Sequence, residues 1–166
     1  PRITDVYVEV DIYPSDRDFV AKGYYMITNK THEPIKEIHM QFNPDPQVSN
    51  EIAFSVKAGI KKAYDEFDYT IYELEKPLAP HDTIKMDFTT TFKTNGFVEG
   101  GSNTEVLQNG TFFSNTYFPS FGYGRNYELA DNNERKKHDL EDRERMRERN
   151  DKHGLHQHLL TDDADR

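Results

Sequence analysis

Alternating hydrophobicity, regular turn chemistry and the lack of an amphipathic helix before residue 128 predict an antiparallel β-sandwich with a short charged extension. Val6, Val8, Val10 and Ile12 alternate with Tyr7, Glu9, Asp11 and Tyr13. A half-buried strand has that period of two. Pro14-Ser15-Asp16 is turn chemistry, and Phe19, Ala21, Gly23, Tyr25 and Ile27 then share one face of a second strand, so the two form a hairpin. The second strand leaves through Asn29 to Pro34. Ile38, Met40 and Phe42 make a third strand, which stops at Asn43-Pro44-Asp45-Pro46. Ile52, Phe54 and Val56, and then Tyr69 to Leu74, supply shorter ones. The clearest alternation sets Ile84, Met86, Phe88, Thr90 and Phe92 against Lys85, Asp87, Thr89 and Thr91. The expected inward set is Val6, Val8, Val10, Ile12, Ile84, Met86, Phe88 and Phe92.

All 10 Tyr and 11 Phe fall at or before Tyr127, which places the core in residues 1–127 and leaves 128–166 as a charged connector. Asp131 to Arg149 holds 7 acidic and 7 basic residues, with Leu140 and Met146 its large aliphatics, so it can bury little. Asp131 and Glu134 have capping-box spacing and predict a short solvated helix. No internal repeat or low-complexity tract is present.

The chain of 166 residues is long enough for one domain with a real core. Its 21 Lys+Arg against 30 Asp+Glu give a net charge of −9 and no basic stripe, which argues against a nucleic-acid partner. No Cys is present, which removes disulfides, thiolate metal sites and Cys nucleophiles. No apolar run reaches the roughly 20 residues of a membrane span, so these residues are expected to be soluble with no direct membrane contact. The start at Pro1, without Met, fits a fragment of a longer chain.

A catalytic constellation is hard to assemble. His32-Glu33 begins like the zinc motif H-E-x-x-H, but Lys36 stands where the second His belongs and Pro34 opposes the helix the motif needs. His153, His156 and His158 cluster late in the chain without an evident supporting shell. Asp65, Glu66 and Asp68 lack the ligand spacing and turn Gly of a calcium loop. Asn29-Lys30-Thr31 and Asn109-Gly110-Thr111 match the glycosylation sequon, and Asn-Gly is also a hairpin turn pair. The expectation is that these residues hold no metal and no cofactor.

The densest unusual stretch, Glu105 to Leu129, carries Phe112, Phe113, Tyr117, Phe118, Phe121, Tyr123 and Tyr127 among three Gly and one Pro. Such rings can close the chain's own core, dock a neighbouring domain, or stack on sugars. Docking is the expected role of the seven. Their number exceeds what an irregular loop on a small sandwich easily buries.

Longer phrases resemble a known family. Ile3 to Phe42 is similar to the N-terminal β-domain of M1-family zinc aminopeptidases. Leu74-Glu75-Lys76-Pro77-Leu78-Ala79-Pro80-His81-Asp82, running on to Phe88, resembles that domain's L-x-x-P-L-x-P-G-D-x-x-x-L-x-F, with His81 where Gly is commoner. Asn109 to Leu140 resembles a bacterial subgroup whose peptidase region is joined to an ABC-type membrane permease. The likeness covers about residues 1 to 165.

The resemblance implies a non-catalytic domain that walls one side of an active-site cleft. Zinc, its H-E-x-x-H ligands and the amine-holding G-x-M-E-N would belong to a catalytic domain following Arg166. The partners it implies are that downstream domain and, in the parent, a peptide substrate. It also implies a bacterial parent anchored in a membrane through other parts, with this domain outside the cytoplasm. Many members use an N-domain Gln shortly before a Phe-Pro step to touch the substrate amine. Gln108, with Asn109 competing, is the nearest match before Phe118-Pro119. The rival expectation is a stand-alone carbohydrate- or protein-binding β-sandwich that uses the Phe112 to Tyr127 rings.

Overall fold

The computed structural model describes residues 1–94, 104–122 and 129–142. The chain divides into two units, Pro1–Tyr123 and Gly124–Arg166, slightly N-terminal of the 127/128 division expected from the loss of aromatics.

The first unit is antiparallel and all-β. Its strands are β1 (Arg2–Tyr13), β2 (Asp18–Thr28), β3 (Ile35–Gln41), β4 (Val48–Phe54), β5 (Ala58–Tyr64), β6 (Tyr69–Leu78), β7 (Thr83–Phe92), β8 (Val106–Leu107), β9 (Gly110–Thr111) and β10 (Ser120–Phe121). One four-stranded sheet has the order β1-β2-β7-β4, a second β10-β3-β6-β5, and β8 and β9 pair by themselves. A shared core joins the two large sheets. Tyr25 and Ile27 from β2 and Ile84, Met86 and Phe88 from β7 pack with Ile38 and Met40 from β3 and Leu74 and Leu78 from β6. A smaller cluster of Phe19, Ala21, Phe92 and Val106 closes one end.

β7, inside the first sheet, follows the alternation rule residue by residue. Ile84, Met86, Phe88, Thr90 and Phe92 are buried, and buried Thr90 donates its hydroxyl to Asn50 Oδ1 at 2.6 Å. Gly23 is required where β2 pairs closely with β1, opposite Val8. A Cβ built there would lie 2.2 Å from the Tyr7 carbonyl oxygen and 3.0 Å from the Phe88 ring.

The expectation for β1 fails on burial. Its register sets Val6, Val8, Val10 and Ile12 opposite Tyr25, Gly23, Ala21 and Phe19, hence on the core-facing side. Yet Val6 is 53% exposed, Val10 38% and Ile12 45%, and only Val8 is half-buried. The cause is position. β1 lies at the edge of its sheet, beyond the side chains that the second sheet contributes to the core.

One buried polar side chain ties the loops together. Asn29 is fully buried, and its Nδ2 donates to the Leu78 carbonyl at 2.9 Å and to the Glu33 carbonyl at 2.8 Å, while its Oδ1 accepts from the Thr31 amide and hydroxyl. Its backbone accepts from His81 N–H and donates to the Asp82 carbonyl. The exit of β2 is thereby latched to the β6–β7 turn. His81 in that turn has φ +68°, a left-handed conformation that costs most residues about 1 kcal/mol and Gly nothing.

In the second unit, α1 (Asn132–Lys137) starts where the capping-box spacing places it. Asp131 Oδ1 accepts from the amides of Asn133 and Glu134, and Lys137 pairs with Glu134 at 2.6 Å. The Arg135 guanidinium donates to the carbonyls of Leu129 and Glu141, holding the flanking residues around one short helix.

Candidate functional site

The aromatic segment is assembled from short pieces. Val106, fully buried, anchors β8, and the β8–β9 hairpin turns through Gln108 and Asn109 with Leu107 opposite Gly110. Asn109-Gly110 is therefore not itself the turn pair. The loop residues are Gln108-Asn109, and Gly110 is already in the ladder. Both loop residues are exposed at the hairpin tip. The Phe112 amide donates to the Glu105 carbonyl at 2.7 Å, closing the base of the hairpin.

Beyond it, Ser114 caps a single 3-10 turn, Asn115–Tyr117, by accepting from the Thr116 amide. Asn43 Nδ2 reaches across to the Thr116 carbonyl at 3.0 Å. The chain then descends through buried Pro119 into β10, where Ser120 and Phe121 pair with Gln41 and Met40 of β3.

This path sends most of the rings inward. Phe113 stacks on Phe19 with centroids 4.5 Å apart, and Tyr117 meets Phe19 and Phe92 edge-on at 5.5 and 5.7 Å. Phe118 lies 5.7 Å from Phe88, and Phe121 meets Tyr25 at 5.9 Å. Burial pushes the Tyr117 phenol far up, helped by its hydrogen bond to the Glu105 carboxylate. Phe112 alone among the described rings of this segment stays open, at 87% exposure. Phe113, Tyr117, Phe118 and Phe121 thus close the chain's own core over most of their surface, which leaves Phe112 and the outer edges of these four as the exposed part of the described rings. Tyr123 and Tyr127 lie outside the described residues.

The other candidates take ordinary places. His32 is exposed in the loop between β2 and β3. Asp65 and Glu66 open a 3-10 turn that Asp68 ends at φ +48°. His153, His156 and His158 lie outside the described residues, and among the described ones no three His, Asp or Glu gather as a metal site. The Asn29 sequon is closed because that side chain is buried and bonded, whereas Asn109 is exposed. Sequence reasoning misses Asn29 as a latch, though its Asx-turn spacing to Thr31 is a usable signal.

His39 sits in a network on the outer side of β3. Its Nδ1 is 2.7 Å from the Tyr69 hydroxyl and its Nε2 3.8 Å from Glu37, which holds Lys61 at 2.6 Å. Lys61 keeps the Glu37 carboxyl below its ordinary range. No helix among the described residues is long and apolar enough to cross a membrane. Searches against models of known protein families and against curated proteins matched nothing to this chain.

Proposed function

We propose that this chain is the non-catalytic β-sandwich domain of an M1-type zinc aminopeptidase, walling one side of the active-site cleft and docking on a catalytic domain that follows Arg166. The observation that supports this most is the fit between the Leu74–Phe88 phrase and its backbone. The family's pattern prefers Gly at position 81, and that position has φ +68° between β6 and β7, where Gly is the least strained residue. The Gly-preferring position of the family's phrase thus falls on the left-handed residue of this turn, which supports the reading.

In the parent, zinc would activate water and polarise the scissile carbonyl, with a Glu as general base. Gln108 and Asn109, on an exposed hairpin tip, are free to meet a substrate amine presented by the neighbouring domain. Among the described residues Phe112 is the ring most open to docking. The parent is proposed to be bacterial and linked to a membrane through other segments.

The coding sequence beyond Arg166 is the direct test, followed by assay of the extended chain. The expected result is an H-E-x-x-H motif downstream, zinc retained by the extended chain but not by residues 1–166, and hydrolysis of aminoacyl-p-nitroanilides. Gln108→Ala should then raise KM more than it lowers kcat. A stop codon at 167, or a further β-module with affinity for oligosaccharides, would replace this reading with that of a stand-alone binding sandwich.

A further inference from the structure

The structure leaves one long strand paired on one side. Among the described residues β1 pairs with β2 alone, and its 12 residues contain neither Pro nor Lys, two common edge protections. One bulge, between Ile3 and Asp5, interrupts it near its start. From Asp5 onward the two faces differ sharply. The core side presents Val6, Val8, Val10 and Ile12, three of them exposed. The other side presents Asp5, Tyr7, Glu9, Asp11 and Tyr13.

Across β2, Lys22 stands opposite Glu9, but Asp5 and Asp11 face Met26 and Val20, neither of which is charged. A second copy is a poor occupant. The longest antiparallel alignments of two such strands that keep the valines together set Asp5 against Asp11, Glu9 against Glu9, or Glu9 against Asp11. Like charges directly opposite destabilise a pair of strands, and a chain of net charge −9 adds a general repulsion.

We propose that the free edge of β1 accepts an extended segment of a partner protein whose alternate residues are apolar and whose intervening residues are Lys or Arg. Main-chain hydrogen bonds would supply the affinity, the exposed valines a dry contact, and Asp5, Glu9 and Asp11 the selection. β2 shows one element of that pattern, Lys22 opposite Glu9, and leaves Asp5 and Asp11 without a basic neighbour across the strand pair. The inference rests on the sheet order and not on the aminopeptidase reading, so either can fail alone.

The test uses residues 1–166 with peptides of about ten residues, the length of such a strand. The probes are an alternating Val–Lys peptide, its Val–Glu counterpart, and a Val–Lys peptide with central prolines that keeps the charge but cannot pair. Binding is read by fluorescence anisotropy and by hydrogen exchange of the β1 amides. The Val–Lys peptide should protect those amides of residues 7–13 that face away from β2, and bind at least about tenfold tighter than the other two. The double variant Asp5→Lys with Asp11→Lys, on the exposed face and checked for native circular dichroism, should prefer the Val–Glu peptide.

No saturable binding, equal binding of the proline-interrupted peptide, or protection elsewhere would overturn the proposal. So would a β1-mediated dimer in sedimentation, which would make a second copy the occupant.

Discussion

β1 and β7 carry nearly the same alternation, and one is exposed where the other forms the heart of the core. In β7, Ile84, Met86, Phe88 and Phe92 are buried, and in β1, Val6, Val10 and Ile12 are open to solvent although their register puts them on the core-facing side. A period of two identifies the face of a strand that wants cover. Whether cover exists depends on the strand's place in the sheet order, which is decided by pairing far along the chain. β7 lies between β2 and β4, both of which contribute to the core layer, and β1 lies outside β2.

The widest contrast between the core and the β1 edge should appear on truncation. Phe19, opposite Phe92 in β7, is fully buried and stacks on Phe92 at 5.4 Å and on Phe113 at 4.5 Å. Phe19→Ala should cost about 3–5 kcal/mol, whereas Val10→Ala, on the edge, should cost less than about 1 kcal/mol. Urea unfolding of both variants checks this. Similar losses would show that something covers β1 in solution.

The Asn29 latch carries the next largest effect. Asn29→Ala leaves the buried carbonyl of Leu78 without its donor and should cost about 2–3 kcal/mol. Hydrogen exchange should show the loss first at the amides of Asn29 and His81, which bridge the two loops. Uniform loss across β1 and β7 would mean that Asn29 supports the whole core and is not a local clasp.

A third contrast lies between two tyrosines. Tyr25, in the core, has its phenol pushed up to about 12 by burial. Tyr7, on the outer side of β1, is raised first by its hydrogen bond to Glu9. A phenol with a raised folded-state pKa binds its proton more tightly folded than unfolded. Its contribution is therefore complete below about pH 10 and is lost as pH rises toward 12, on the order of 1–2 kcal/mol for Tyr25. Tyr25→Phe should flatten that part of the alkaline stability curve, measured by urea midpoints between those pH values. Tyr7→Phe should change it little. A larger effect from Tyr7 would place β1 in a buried setting.

The strands with clean alternation are legible in the amino-acid sequence, as is the helix start at Asp131, because each depends on neighbours along the chain. β5 is not. Its Ala58 to Tyr64 run carries Lys61 and Lys62 in the middle, and Ile60 is 65% exposed beside a bulge. An edge strand with little to bury prints little pattern. By composition the aromatic segment is too rich in rings for its own core, and that expectation fails for Phe113, Tyr117, Phe118 and Phe121. Phe19 and Phe92 leave an end of the core open, which no local pattern announces. The exposed hairpin of Gln108 and Asn109 is visible as turn chemistry, but its register is set by Val106 and Thr111.

The smallest expected effect tests the β6–β7 turn, the connection that delivers β7 to the center of its sheet. His81 at φ +68° is one of four non-Gly residues described with positive φ, with Arg17, Asp68 and Asp139. Its backbone N–H donates to the Asn29 carbonyl at 2.8 Å, so the turn cannot relax its dihedral without losing that bond. Replacing His by Gly removes the left-handed penalty, about 1 kcal/mol, and returns part of it through the greater freedom of Gly when unfolded. The net expectation for His81→Gly is a gain of about 0.5 kcal/mol, read as a higher urea midpoint with an unchanged slope. His81→Ala should lose a few tenths instead, since Ala keeps the strain without the local hydrogen bonding that eases His in this region. If His81→Gly were destabilising, the imidazole would have to make a stabilising contact of its own. The preference for Gly at this point of the family's phrase would then cease to support the resemblance.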